Sequence, residues 1–183
     1  MATDTDAPTS WHTVVPTALG ELTLVHDADA LLGLYFPNHW YRHDPVTYAP
    51  HRADEFDEAA CLRDWYLSGQ RREFDPALDP RGDTLQQRVG NLLRWAPYGE
   101  TVTYGALSDR AGGDVAAQQV GAAVGRNPPS IVLSCHRVVG AAGKLTGYGG
   151  GPARKRHLLD LEQTGLPPLM LPEVGTGRAV ATR

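Results

Sequence analysis

From Asp83 to Val124 the chain is punctuated so closely that it can form only a series of short helices, and this stretch constrains the fold most. Asp83 is a helix-capping residue, and Leu85, Val89, Leu92 and Leu93 recur at helical spacing until Ala96-Pro97 stops the run. Pro97-Tyr98-Gly99-Glu100 reads as a turn. Thr103 then caps a short helix through Leu107, Gly112-Gly113 breaks it, and Asp114 caps a third helix over Val115–Val124. Two helices joined by a tight glycine turn have the form of a helix-turn-helix. The same pattern fits a plain core, since helices rich in Ala and Gly also pack closely on each other.

The residues before Asp83 carry a different period. Glu21-Leu22-Thr23-Leu24-Val25-His26 alternates as a half-buried strand does, and Leu31–Phe36 reads as its partner, with Asp27–Ala30 turning the chain between them. Asp54 to Leu67 places Phe56, Ala59, Ala60, Leu62, Trp65 and Tyr66 on roughly one helical face. This half reads as a small α+β unit with no catalytic constellation. The Pro, Gly and Asp residues of Asp75–Gly82 mark a boundary between units at residues 11–80 and 81–163. Residues 1–10 and the Pro/Gly-rich tail 164–183 are expected to be mobile.

Charge follows the same division. Residues 1–80 hold 14 Asp and Glu against 5 Lys and Arg, whereas residues 81–163 hold 6 against 10. A basic half attached to an acidic one points to a polyanion facing the second half, and a mildly basic solvated surface is the alternative. No apolar run approaches the ~20 residues that span a bilayer. The acidic start Met1–Asp6 is not a signal peptide, so a cytoplasmic, soluble protein is expected. Two cysteines without paired Cys/His spacing argue for a reducing compartment and against a structural zinc site, and no metal is expected.

One of those cysteines stands out. Cys135 closes the apolar run Ile131-Val132-Leu133, which has strand character, and is followed directly by His136 and Arg137. A thiol is a strong nucleophile as thiolate, and basic neighbours promote that form. A lone cysteine beside Val and Leu is also a common small core residue. Downstream, Gly140–Pro152 is dense in glycine and lacks a phosphate-loop pattern. A helix follows from Pro152 to Glu162, its basic first half, Arg154-Lys155-Arg156, reading as a solvated face or a phosphate contact.

Ser134-Cys135-His136-Arg137-Val138-Val139 resembles the Pro-Cys-His-Arg-Val signature of the O6-alkylguanine-DNA alkyltransferases, in their full-length bacterial form. Pro97–Leu107, Val120–Ala123 with Arg126-Asn127-Pro128, Leu145–Gly151 and Arg154–Glu162 match the family's other motifs in order, so that the strong resemblance covers residues 83–163. The resemblance implies an RNase H-like α/β N-terminal domain and a mainly helical, winged-helix-like C-terminal domain with a helix-turn-helix. It implies a monomer that binds double-stranded DNA carrying alkylated guanine, needs no cofactor and accepts the alkyl group irreversibly on Cys135. The implied network is Cys135–water–His136–Glu162, with Tyr104 rotating the 3′ phosphate and protonating the leaving guanine. Val138 and the Tyr148-Gly149 loop would hold the flipped base, Asn127 would tie the preceding turn, and Arg137 would be structural. Ala117, Gln118 and Gly121 would meet DNA from the recognition helix.

This chain departs from the pattern at four positions. Gln118 stands where an arginine usually enters the base stack, and it lacks the charge and planar fork of arginine. Ser134 replaces a proline, which is expected to loosen the site. Gly90 and Ala141 replace a large aromatic and a small hydroxyl residue. The Gln118 and Ser134 replacements motivate a second reading, a relative that uses Cys135 on a small molecule or unusual adduct. A lesion-binding protein without transfer is a third, against which the retained cysteine weighs.

Overall fold

The computed structural model describes residues 10–39, 50–52, 57–79, 83–112 and 114–168. Expectations that rest on residues 1–9, on Phe56, on Gly82, on Gly113 and on the tail beyond Pro168 lie outside the described residues. The fold is α+β.

Three antiparallel strands, β1 (Trp11–Thr17), β2 (Gly20–His26) and β3 (Leu31–Tyr35), form a sheet in the order β1-β2-β3. The β2–β3 hairpin is the one its alternation predicts, with Thr23 opposite Tyr35 and Leu24 opposite Leu34. β1 carries no continuous strand signal because Pro16 interrupts it, and proline is tolerated only at an edge or near a strand end. β2 is not half-buried as expected: Thr23 and Val25 are buried along with Leu22 and Leu24, so the strand is covered on both faces.

The expected helix after residue 54 begins as α1 (Asp57–Ala60) and widens into a π-helical segment, Cys61–Tyr66. The following residues do not simply link two halves. Leu31 N–H donates to Ala77 O at 2.8 Å, and further along β3 Leu34 N–H donates to Pro128 O at 3.0 Å. β3 therefore lends its backbone to segments on either side of the helical region.

α2 (Thr84–Leu93) opens on Asp83 as predicted, with Asp83 accepting from Gln86 N–H and the Gln86 side chain accepting from Asp83 N–H. α3 (Tyr104–Arg110) is capped by Thr103 and runs past Leu107. α4 (Ala117–Gly125) starts later than expected, and Asp114 does not cap it. The Asp114 carboxylate pairs instead with Arg88 at 3.3 Å, while Gln119 Oε1 accepts Ala116 N–H at the helix start.

The apolar run before Cys135 is not a strand. Ile131 has φ of +73°, and Leu133 N–H turns back to Pro129 O at 3.0 Å. Prolines 128 and 129 carry no N–H, so this stretch cannot sustain a ladder. The strand character belongs to β5 (Val138–Val139), which pairs in parallel with β4 (Val102–Thr103). α5 (Pro152–Thr164) ends on Gly165 in the left-handed conformation. One apolar cluster runs from Val15, Leu24 and Phe36 through Leu62 and Val89 to Val120, Val138 and Leu161, so the two halves share a core. Among the described residues no helix is long and apolar enough to cross a membrane.

Candidate active site

Cys135 sits at the start of a short 3-10 turn, Cys135–Arg137, between the tight turn at Ile131 and β5. Asn127 Nδ2 donates to Leu133 O at 2.9 Å, which holds that turn closed, and Cys135 N–H donates to the same carbonyl at 2.6 Å. A β-branched residue at positive φ stores strain of about 1–3 kcal/mol, and Ile131 does so four residues before the thiol. The thiol is only 3% exposed. Burial pushes it above the ordinary cysteine range, against the opposing pull of Asn127, the Lys155 charge, Ser130 and the Ile131 backbone. The resting group is thus a thiol that needs a proton acceptor.

His136 follows Cys135 in the same turn. Its ring is fully buried, and Nε2 lies 2.7 Å from Glu162 Oε1. With Glu162 ionised, Nε2 carries the hydrogen, so the neutral ring presents its lone pair at Nδ1. That Nδ1 is buried and has no partner among the described residues. Burial lowers the His136 pKa, and the adjacent Glu162 opposes that shift without reversing it.

Glu162 is the most heavily bonded group here. It accepts from Tyr66 Oη at 2.5 Å, from Gly99 N–H at 3.0 Å, from His136 Nε2, and from Arg137 through Nε at 2.9 Å and Nη2 at 2.9 Å. Burial by itself would raise its pKa, but the bonds and charge of His136 and Arg137 outweigh burial and hold it well below the carboxylate range. Arg137 also donates to Ala96 O at 2.6 Å, which fixes the guanidinium against the turn before β4.

Tyr104 and Tyr148 bound the site on its other sides. Tyr104 Oη donates to Thr146 O at 3.1 Å, and burial pushes its pKa up to about 12, with the Cys135 charge adding to that. Tyr148 is buried, its ring 6.5 Å from that of His136 and 5.6 Å from that of Phe36. Gly149 has no room for a side chain, because a methyl group there would collide with His39 Nε2. The loop is therefore moulded from behind by the N-terminal half.

The structure brings Cys135, His136, Arg137, Glu162, Tyr148 and Tyr104 into one site, with Asn127 bracing it and Gly121 packed toward the Tyr104 ring. Ala117 and Gln118 lie exposed at the start of α4. The Val138 carbonyl already accepts from Lys155 Nζ.

Lys155 corrects an expectation. It lies on no solvated face: it is 0% exposed, Nζ donates to Val138 O and Thr146 O, and burial lowers its pKa to about 8. Arg154 is buried too, donating to Leu19 O at 2.7 Å and Gly150 O at 3.0 Å. A signal for Lys155 was available, since it stands seven residues before Glu162 and so shares its helix face. Tyr66 and His39 had none, because only the packing of the two halves brings them here.

Residues 84–164 match the family described as 6-O-methylguanine DNA methyltransferase, DNA binding domain. A methylated-DNA–protein-cysteine methyltransferase of Mycobacterium tuberculosis is 42% identical over 153 residues, which cover 84% of this chain and 92% of the relative. That of Methanosarcina acetivorans is 35% identical over 161 residues, covering 83% and 97%. The fold superimposes on the crystal structure of M. tuberculosis OGT in complex with DNA with a TM-score of 0.77 at 40% identity, covering 86% of this chain and 95% of the other.

Proposed function

Because the chain belongs to the methylated-DNA–protein-cysteine methyltransferase family, we propose that it repairs alkylated DNA by direct reversal, moving an alkyl group from O6 of guanine, or O4 of thymine, onto Cys135 once per molecule. The observation that carries this reading is the buried cluster in which Glu162 holds Nε2 of His136, the residue next to Cys135, and leaves its Nδ1 without a partner among the described residues.

In this reading the damaged nucleotide leaves the duplex, since its alkyl carbon is out of reach within the stack. Asn127 and Ser130 polarise the thiol and Lys155 favours the thiolate. The thiol proton passes through a water to His136 Nδ1, and Glu162 offsets the charge that forms. The sulfur–carbon bond forms as the carbon–O6 bond breaks, and the electron pair stays with the base. The base takes a proton from Tyr104, which its raised pKa keeps protonated, and solvent restores that proton. The electrophilic carbon is the substrate's own, so no cofactor enters the scheme.

Double-stranded DNA is the partner in this reading. Support comes from the M. tuberculosis relative solved with DNA, and from the exposed start of α4 beside Tyr104. Ala117, Gln118 and Gly121 then meet the duplex, and the Tyr148-Gly149 loop holds the extruded base. The same reading takes α3 and α4 as the helix-turn-helix of a winged-helix-like domain at residues 81–163. It takes residues 11–80 as an RNase H-like domain, and the protein as a cytoplasmic monomer.

The test is intact mass after incubation with a duplex containing O6-methylguanine. One added methyl, mapped to Cys135 and absent from Cys135→Ala, is the expected result. Tight lesion binding without mass gain would favour a binding protein, and neither binding nor gain would favour a different substrate for the thiol.

A further inference from the structure

We infer that Tyr66, from the N-terminal half, is a positioning residue of the transfer site: its hydroxyl bonds the same Glu162 oxygen that holds His136, and so sets how strongly the carboxylate pulls on the imidazole. This rests on the proposed alkyl transfer to Cys135.

Glu162 Oε1 accepts from Tyr66 Oη at 2.5 Å and from His136 Nε2 at 2.7 Å, with Arg137 Nη2 at 2.9 Å. With Arg137 Nε at 3.2 Å, four donor atoms from three residues compete for one oxygen. A short bond from a hydroxyl to a carboxylate is charge-assisted and draws electron density toward the hydroxyl, leaving less for the imidazole. The geometry is fixed from several directions. Tyr66 closes the π-helical segment Cys61–Tyr66, and such widened turns often occur at functional sites. Its ring is 2% exposed, edge-on to Tyr98 at 6.2 Å and beside Phe74 at 6.3 Å. Just beyond it, Gly69 packs so closely on the Gly165 carbonyl that no side chain would fit, which pins this segment to the end of α5.

The groups facing His136 are few. They are Cys135 and Arg137 on its own turn, Glu162 and Lys155 on α5, Tyr148 on the glycine loop, and Tyr66 acting through Glu162. Arg137 and Lys155 oppose a protonated ring, and Glu162 favours one. Tyr66 moderates the one group that favours it, which keeps the ring neutral and able to take the thiol proton. Burial and the adjacent Glu162 hold the Tyr66 pKa well above its usual value, so its hydroxyl remains a donor wherever the protein works.

Removing the hydroxyl leaves the ring and its packing in place and frees Glu162 charge for His136. The imidazole of Tyr66→Phe then protonates at higher pH, and transfer is lost earlier on acidification. The experiment is the pH profile of single-turnover methyl transfer from an O6-methylguanine duplex, for wild type and Tyr66→Phe, with His136 titrated in parallel by NMR. The expected result is an acid limb moved up by about half to one pH unit, with alkaline rates nearly unchanged. Coincident limbs, or equal slowing at every pH, would overturn the inference while leaving Cys135 as the acceptor. No transfer by wild type would overturn the proposed function, and this inference with it. Should Tyr66→Phe fail to fold, 3-fluorotyrosine at position 66, a stronger donor of nearly the same shape, moves the limb the other way, and an unmoved limb overturns the inference.

Discussion

The two halves of this molecule differ in how openly they display their part in the site. Residues 83–164 carry the thiol, the imidazole and the carboxylate, each inside a recognisable run of sequence. Residues 10–79 carry no such run, yet Tyr66 reaches Glu162, Phe36 and His39 back the Tyr148–Gly150 loop, and Leu19 O receives Arg154. The difference teaches that the half which reads as reactive depends on the other for its geometry. A carboxylate with three residues donating to one oxygen has a single orientation, and one of those residues lies 96 positions away.

The sharpest way to break this dependence is Glu162→Ala. It strands the Arg137 guanidinium and releases Tyr66, His136 and Gly99 together, and losing one partner of a buried pair costs about 3–5 kcal/mol, measurable by urea unfolding. The sign with pH is definite. The folded pKa of Glu162 lies below its unfolded value, so its stabilisation is complete above the ordinary carboxylate range and is lost as pH falls through and below it. The variant should therefore lose much of the wild-type dependence on pH at the acid end.

Arg154→Met should come next. It keeps the packing against Phe36, whose ring centroid lies 5.2 Å from the guanidinium carbon, but leaves Leu19 O and Gly150 O unpaired. Unfolding should show a loss of about 1–3 kcal/mol. Equal stability would mean that the Arg154 bonds add nothing to the hold between the halves.

Lys155→Met tests the C-terminal half by itself. Removing the cation beside Cys135 should raise the thiol pKa further and slow transfer at neutral pH several-fold. Lys155 is protonated below about 8, so the gap between wild type and variant should narrow as pH rises past that value. Thermal stability should fall modestly, because the Val138 and Thr146 carbonyls lose their donor even as an apolar chain replaces a buried charge.

The smallest effect expected is a gain. Ser134 was expected to loosen the site by lacking the proline's constraint, yet its φ is −66°, already the angle proline imposes. Ser134→Pro should raise stability by about 0.4–1 kcal/mol, read as a shift in thermal midpoint, through a less free unfolded chain.

The helices around Asp83 and Thr103, the β2–β3 hairpin and the Cys135-His136 pair were legible in the sequence, whereas Glu162, 26 residues from His136, joins that pair only through the family resemblance. Each of the former is marked by local chemistry: a cap, an alternation, or a motif of adjacent residues. Three readings failed for one shared reason. The run before Cys135 looked like a strand, Lys155 like a solvated cation and β2 like a half-exposed strand, because residue type alone does not reveal what will cover it. At Ile131 the two preceding prolines and the Asn127 side chain decide the backbone. At Lys155 the Val138 and Thr146 carbonyls turn a charge inward.

The sequence by itself marked the reactive group, a thiol next to an imidazole, and through its resemblance to the family the carboxylate on the helix that starts at Pro152. Only the tertiary structure decided how that chemistry is held. It buries the thiol, leaves His136 Nδ1 without a partner among the described residues, and sets Tyr66 on the carboxylate. The reason is physical: orientation and desolvation depend on the neighbours a group acquires when the chain closes, and those neighbours lie far away in sequence.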